Sequence, residues 1–338
     1  MRRRLSALRT ASIAFCLGAI ALAGDDFTLA SFTGATESPA NRIGAAPDFR
    51  APTVAASAIA KSAGGTPGFV TQSGTYFVYA NVNDAGNPPS GVGAVSANVS
   101  AITTGATATA LAAGSFSVGG VSYSHRSVQL TADAVLAEGA RAYSVTAGDN
   151  AANGGTQAGF SVTIDNTVPS GSDVQTANGG ATAGTAEAGD TATFTFSEAI
   201  DPASVLSGWT GASTAVVVRL INGGALPTTA DSVQIWNAAN SAQLPLGAIT
   251  LPSGTYVGGL AATDSALFGA TGTASTMVIS GSTITITLGT AGGAQAAGAG
   301  TLAGAMSWVP SATATDRAGN ATSTATVTET TPPSDTEF

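Results

Sequence analysis

Very few side chains in this chain could carry chemistry. His125 is the only histidine, Lys61 the only lysine and Cys16 the only cysteine among 338 residues. A Ser-His-Asp arrangement would have to use His125, and no G-x-S-x-G elbow surrounds any serine. His125 therefore reads as an exposed strand residue beside Arg126. One cysteine excludes a disulfide framework and a Cys-based zinc site, and one histidine excludes a multi-His metal centre. Lys61 is the only amine that an isopeptide bond could use, with Asn166 as a partner from the other end of its domain. No catalytic, cofactor-binding or metal-ligating residue is assigned.

Acidic turns are the other candidates. Asn81, Asn83, Asp84 and Asn87 form one group, and Asp149, Asn150 and Asn153 another, with Asp165 a possible addition. Asp and Asn close turns onto backbone N–H groups, which makes turn stabilisation the primary reading. Ca²⁺ is the alternative, although neither group has the density of a D-x-D-x-D-G loop. Asn98-Val-Ser100 and Asn320-Ala-Thr322 are glycosylation triplets. Trp209, Trp236 and Trp308 either fill a core or offer platforms on which a sugar stacks.

These residues need elements to hold them. Residues 1–9 carry four arginines and no acid, Thr10 to Ala23 is uncharged and mostly apolar, and Asp25-Asp26 ends the run. That is the pattern of a secretory signal peptide, with cleavage after Ala23 or as late as Ala30. The run is shorter than the ~20 residues a spanning helix needs, and no later segment is long enough, so no membrane span is expected in the mature chain. Residues 24–50 read as a linker or leading arm.

From Ala51 the pattern has period two. Predicted strands are Thr53–Ala60, Thr75–Val82, Val92–Val99, Thr107–Ala112, Val121–Thr131, Arg141–Ala147 and Gly159–Ile164. Asp165-Asn-Thr-Val-Pro169 breaks the pattern, because proline cannot donate to a sheet ladder. Further strands are predicted at Thr191–Phe196, Ala215–Asn222, Asp231–Asn237, Thr276–Ser280, Thr283–Leu288 and Ala321–Thr328. The expected organisation is all-β: one sandwich domain over 51–168, a second over 169–330, and a polar tail over 331–338. Residues 289–305, almost all Gly and Ala, are expected to form a long exposed loop.

Composition narrows the function classes. Charged residues make up 9% of the chain, against roughly 25% in an ordinary domain. A net charge of −9 argues against nucleic acid, which requires clustered Lys and Arg. Strand edges with so few charged residues invite pairing with another chain.

Two motifs carry a resemblance. Asp149-Asn-Ala-Ala-Asn153 and Asp316-Arg-Ala-Gly-Asn320 echo each other, each followed by a Thr-rich stretch. Asp316–Asn320 matches the T-D-x-A-G-N hairpin of bacterial Ig-like repeats, and Asp165–Pro169 matches their D-N-T-x-P linker. Ala152 departs from that pattern by replacing the glycine. Phe196-Ser-Glu-Ala-Ile-Asp-Pro-Ala-Ser204 resembles an F-S-E-x-x-D-P-x-S segment of such domains, in which Asp201 would N-cap a short turn with Pro202 at its first position. The signal region, with Phe27 to Thr36 after it, resembles more weakly that of TasA-like matrix proteins, which assemble into biofilm fibres.

The resemblance implies two tandem Ig-like β-sandwiches in a secreted, extracellular or cell-surface protein. Its role would be structural or adhesive rather than enzymatic. Partners would be further copies of itself, other cell-surface proteins or glycans. A carbohydrate-binding or adhesin module using the tryptophans is the alternative.

Overall fold

The structure is a computed structural model that describes residues 48–338 apart from 85, 87, 225–228, 260, 263, 294, 301 and 331–335. The predicted signal peptide, most of the leading arm, Asn87 and most of the polar tail lie outside the described residues.

Residues 53–164 form one sheet. Its strands are β1 (Thr53–Lys61), β2 (Phe69–Val70), β3 (Thr75–Asn83), β4 (Val92–Asn98), β5 (Thr109–Val118), β6 (Val121–Ser127), β7 (Leu130–Thr131), β8 (Gly139–Asp149) and β9 (Gly154–Ile164). They run in the order β1-β3-β6-β5-β4-β8-β9-β2, with β7 also on β3. All pairs are antiparallel except β2 with β9. The end strands β1 and β2 lie beside each other, so the sheet curls over its own core.

The alternation in β3 shows why. Tyr76, Val78 and Ala80 are fully buried and pack with Ile59, Val145 and Ile164, while the intervening residues face the other way. Each large apolar side chain buried in this way contributes about 1.5–3 kcal/mol.

Residues 171–328 form the second sheet. It contains β10 (Gly171–Ala177), β11 (Thr191–Phe196), β12 (Thr214–Ile221), β13 (Ser232–Asn237), β14 (Gln243–Thr250), β15 (Ser265–Phe268), β16 (Ser275–Ser280), β17 (Thr283–Thr287), β18 (Ala291–Gly292), β19 (Ser307–Val309) and β20 (Val327–Thr328). The order is β10-β11-β17-β16-β12-β13-β14-β19-β20, with β15 on β12 and β18 on β15. Trp308 anchors a separate core, edge-on to Phe194 and Phe196 at 5.2 and 5.0 Å between ring centres. The chain is thus all-β, with two sheets in sandwich- or barrel-like arrangements. No helix among the described residues is long and apolar enough to cross a membrane.

Helix α1 (Pro202–Val205) is a single turn in which Asp201 is the N-cap and accepts from Ala203 N at 3.3 Å, as its sequence led us to expect. Much of the Gly/Ala-rich stretch is exposed, but it is tied to the fold at several points. It contributes β18, and Ala297 and Ala299 bridge to Val257 and Thr185. Its small residues let the backbone lie flat: a Cβ on Gly300 would come within 2.3 Å of the Tyr256 ring. Low side-chain volume here permits close packing against a buried tyrosine.

Candidate functional site

Each sheet carries a related Asp-to-Asn turn near its C-terminal end. In the first, Asp149 Oδ1 accepts from Ala151 N at 2.9 Å and Asn153 N at 2.8 Å, while Asn153 Nδ2 donates to Asp149 Oδ2 at 2.7 Å. In the second, Asp316 Oδ1 accepts from Gly319 N at 2.6 Å and Asn320 N at 2.8 Å, and Asn320 Nδ2 donates to Asp316 Oδ2 at 2.7 Å. This is the turn chemistry anticipated from sequence. The residue before each Asn has positive φ: Gly319 at 105° and Ala152 at 68°.

Both turns also capture the segment entering their domain. Asn153 Nδ2 donates to Asp48 O at 3.2 Å, and Asn320 Nδ2 to Asp165 O at 2.9 Å. The incoming acid, the turn acid and an acid following an inner strand then converge. Asp48, Asp84 and Asp149 each bring a carboxylate oxygen within 4.8 Å of the others, and so do Asp165, Glu198 and Asp316. The equivalence continues downstream, where Asn87-Pro-Pro-Ser90 stands in the first domain for Asp201-Pro-Ala-Ser204 in the second.

The clusters differ in electrostatics. In the first, Asp48 accepts from Arg50 N at 2.9 Å and Ser90 N at 3.0 Å, and Asp84 accepts from Gly91 N at 2.6 Å. The Arg50 N–H is the largest cause holding the Asp48 carboxyl below its ordinary range. In the second, Glu198 Oε1 is buried and meets no hydrogen-bond donor. Burial first, then the charges of Asp165, Asp316 and Glu138, push Glu198 up to about 7. Burial likewise raises Asp165. Three such carboxylates form an oxygen donor set suited to a hard divalent cation. Without a cation, their mutual repulsion favours retaining a proton.

The second cluster sits where the two domains meet, and Lys61 crosses the junction. At the end of β1 it reaches into the second domain, with Nζ 2.7 Å from Asp201 Oδ2 and donating to Asp316 O at 2.8 Å and Thr315 Oγ1 at 3.3 Å. Both side chains are nearly enclosed, exposed by 10% and 1%. Thr71 Oγ1 donates to Asn320 Oδ1 at 2.7 Å, Thr66 Oγ1 to Asp201 Oδ1 at 3.3 Å, and the Arg317 guanidinium lies 5.7 Å from the centre of the Phe69 ring.

Other expectations fare variously. Asn166 binds Gln72 N at 2.9 Å and Leu136 O at 2.8 Å, while Lys61 turns to Asp201 instead. His125 is buried, not exposed: it pairs across β6 with Ala80, on the core side of β3. Its Nδ1 lies 2.9 Å from Ser124 Oγ, and burial lowers its pKa. That serine hydroxyl also accepts from Val82 N at 3.0 Å, so it is tied into the sheet.

Trp308 and Trp209 are buried, with their indole N–H groups donating to Leu246 O and Ala212 O at 2.6 Å each. Trp236 is half-buried and carries the Arg219 guanidinium 3.5 Å from its ring centre.

Sequence reasoning found the turn acids and Asp165 but not Asp48, Glu198 or the pairing of Lys61 with Asp201. The repeated acid-Ala-x-[Asp/Asn]-Pro-x-Ser segment was the available signal for Glu198. Comparison of the chain with family models, curated proteins and solved structures finds no match.

Proposed function

We propose that this chain is an exported, non-catalytic bacterial surface or extracellular-matrix protein whose two β-domains, Ig-like in their turn motifs, serve a structural or adhesive role. The observation that carries this reading is the junction. A buried Lys61–Asp201 pair, three side-chain hydrogen bonds between domains and a captured linker join separate cores into one unit. Such a joint holds the two domains in one orientation, which a flexible tether would not.

The reading also draws on the sequence pattern of the signal region. Expression of the tagged full chain in a bacterial host, followed by fractionation and N-terminal sequencing, tests it. The expected result is a chain starting at Gly24 or Ser31 in the surface or extracellular fraction. Retention of residues 1–23 on a cytoplasmic chain would refute it.

A further inference from the structure

The buried contact across the junction leaves one atom unsatisfied. Lys61 Nζ lies 2.7 Å from Asp201 Oδ2, yet that oxygen is buried and has no partner in hydrogen-bond geometry. The other oxygen, Oδ1, accepts from Ala203 N and from Thr66 Oγ1, each at 3.3 Å. On the amine side, Nζ donates to Asp316 O at 2.8 Å. Its longer contact is with Thr315 Oγ1, which itself donates to Asp316 O at 3.2 Å. These are the partners an amide needs. Its N–H would donate to Asp316 O, its C=O would accept from Ala203 N and Thr66, and the unpartnered oxygen is the one such a bond releases.

The surroundings favour condensation. Gly65, at φ 94°, closes over the carboxylate, and a Cβ there would lie 2.0 Å from Oδ2. Enclosure disfavours charged groups, and passing one ammonium proton to the carboxylate removes two buried charges. Fixing the groups in contact supplies the effective concentration that a free amine and acid lack in water. A cavity of about 270 Å³, with Ala63, Gly64, Ser204 and Thr313 among its walls, adjoins the pair and gives a released water a way out.

We propose that Lys61 and Asp201 join in an isopeptide bond that links the two domains covalently. One proton passes from the Nζ ammonium to Oδ2, leaving an amine and a carboxylic acid. The Nζ lone pair attacks Cγ, and negative charge builds on Oδ1, which faces the Ala203 N–H and the Thr66 hydroxyl. A second proton moves from nitrogen to Oδ2, the Cγ–Oδ2 bond breaks with its electron pair, and one water leaves. Nothing is oxidised or reduced, and no co-reactant is consumed. The bond goes beyond the role proposed above and does not depend on export.

Tryptic mapping of the purified, folded chain is the test. Trypsin cuts after lysine and arginine, so an unlinked chain yields residues 51–61, 62–126 and 142–219 as separate peptides. The account predicts loss of cleavage after Lys61 and a branched species joining 51–126 to 142–219. That species should be lighter than the two peptides together by one water, with fragment ions placing the link at Asp201. Lys61→Arg keeps the cation but offers no amine, and should abolish the branch. Free 51–61 as the main product would overturn the bond, as would a branch that survives in Lys61→Arg. Loss of ammonia in place of water would put the link on an asparagine such as Asn166, and would overturn it too. Failure here leaves the proposed surface role standing, and a linked chain retained in the cytoplasm refutes only that role.

Discussion

At the scale of single residues, the two Asp-to-Asn turns offer a comparison. The bonds from the Asn backbone N–H and Asn Nδ2 have the same lengths in both, 2.8 and 2.7 Å, but the position before the Asn is Gly319 at positive φ in one and Ala152 in the other. The left-handed region costs a residue with a Cβ about 1–2 kcal/mol, partly offset by the larger unfolded-state entropy of glycine. Ala152→Gly should therefore raise stability by roughly 0.5–1 kcal/mol, read from urea unfolding midpoints. The same change would lower stability if the turn were not held in this conformation. This turn was legible in the sequence because its chemistry is local. The burial of His125 was not, because a period-two strand does not announce which of its faces meets a second layer.

At the scale of elements, strands with one wet face were legible and strands with interruptions were not. The pattern identified β11 to the residue, since Ala192, Phe194 and Phe196 alternate with threonines. It missed β14, where Pro245 and Gly247 interrupt the run and the glycine admits a close approach by Val309 O. It missed β10, which follows directly on the linker, and it overran β20, whose ladder is Val327–Thr328, with Ala321 only in an isolated bridge to Thr315.

In the Gly/Ala-rich stretch an absence of side chains looks the same in a loose loop and in a backbone pressed against a neighbour, and the structure has both: Leu302 and Ala303 are exposed, while Gly300 lies against the Tyr256 ring. Gly300→Ala discriminates between them. Overpacking against Tyr256 should cost about 1–3 kcal/mol, measured as a fall in unfolding midpoint. A neutral result would mean that Gly300 does not pack against the ring.

At the scale of the whole molecule, scarcity of charge has a definite placement. The terminal strands of each sheet lie beside each other, β1 near β2 and β9, and β10 near β19 and β20, which shelters most of the edges left uncharged. Curling of a sheet depends on contacts distant in sequence, and no local pattern reports it.

The one lysine has an equally definite place, buried across the junction that joins the two cores. Removing one partner of a buried pair strands the other's charge, at a cost of about 3–5 kcal/mol, so Lys61→Met should loosen the domains. The most direct measurement is the distance distribution between spin labels at exposed Gln157→Cys and Ala239→Cys, one in each domain, in a Cys16→Ser chain. The account predicts a single narrow distribution that broadens in Lys61→Met. A broad distribution in the otherwise native chain, or a narrow one unchanged by Lys61→Met, would contradict it.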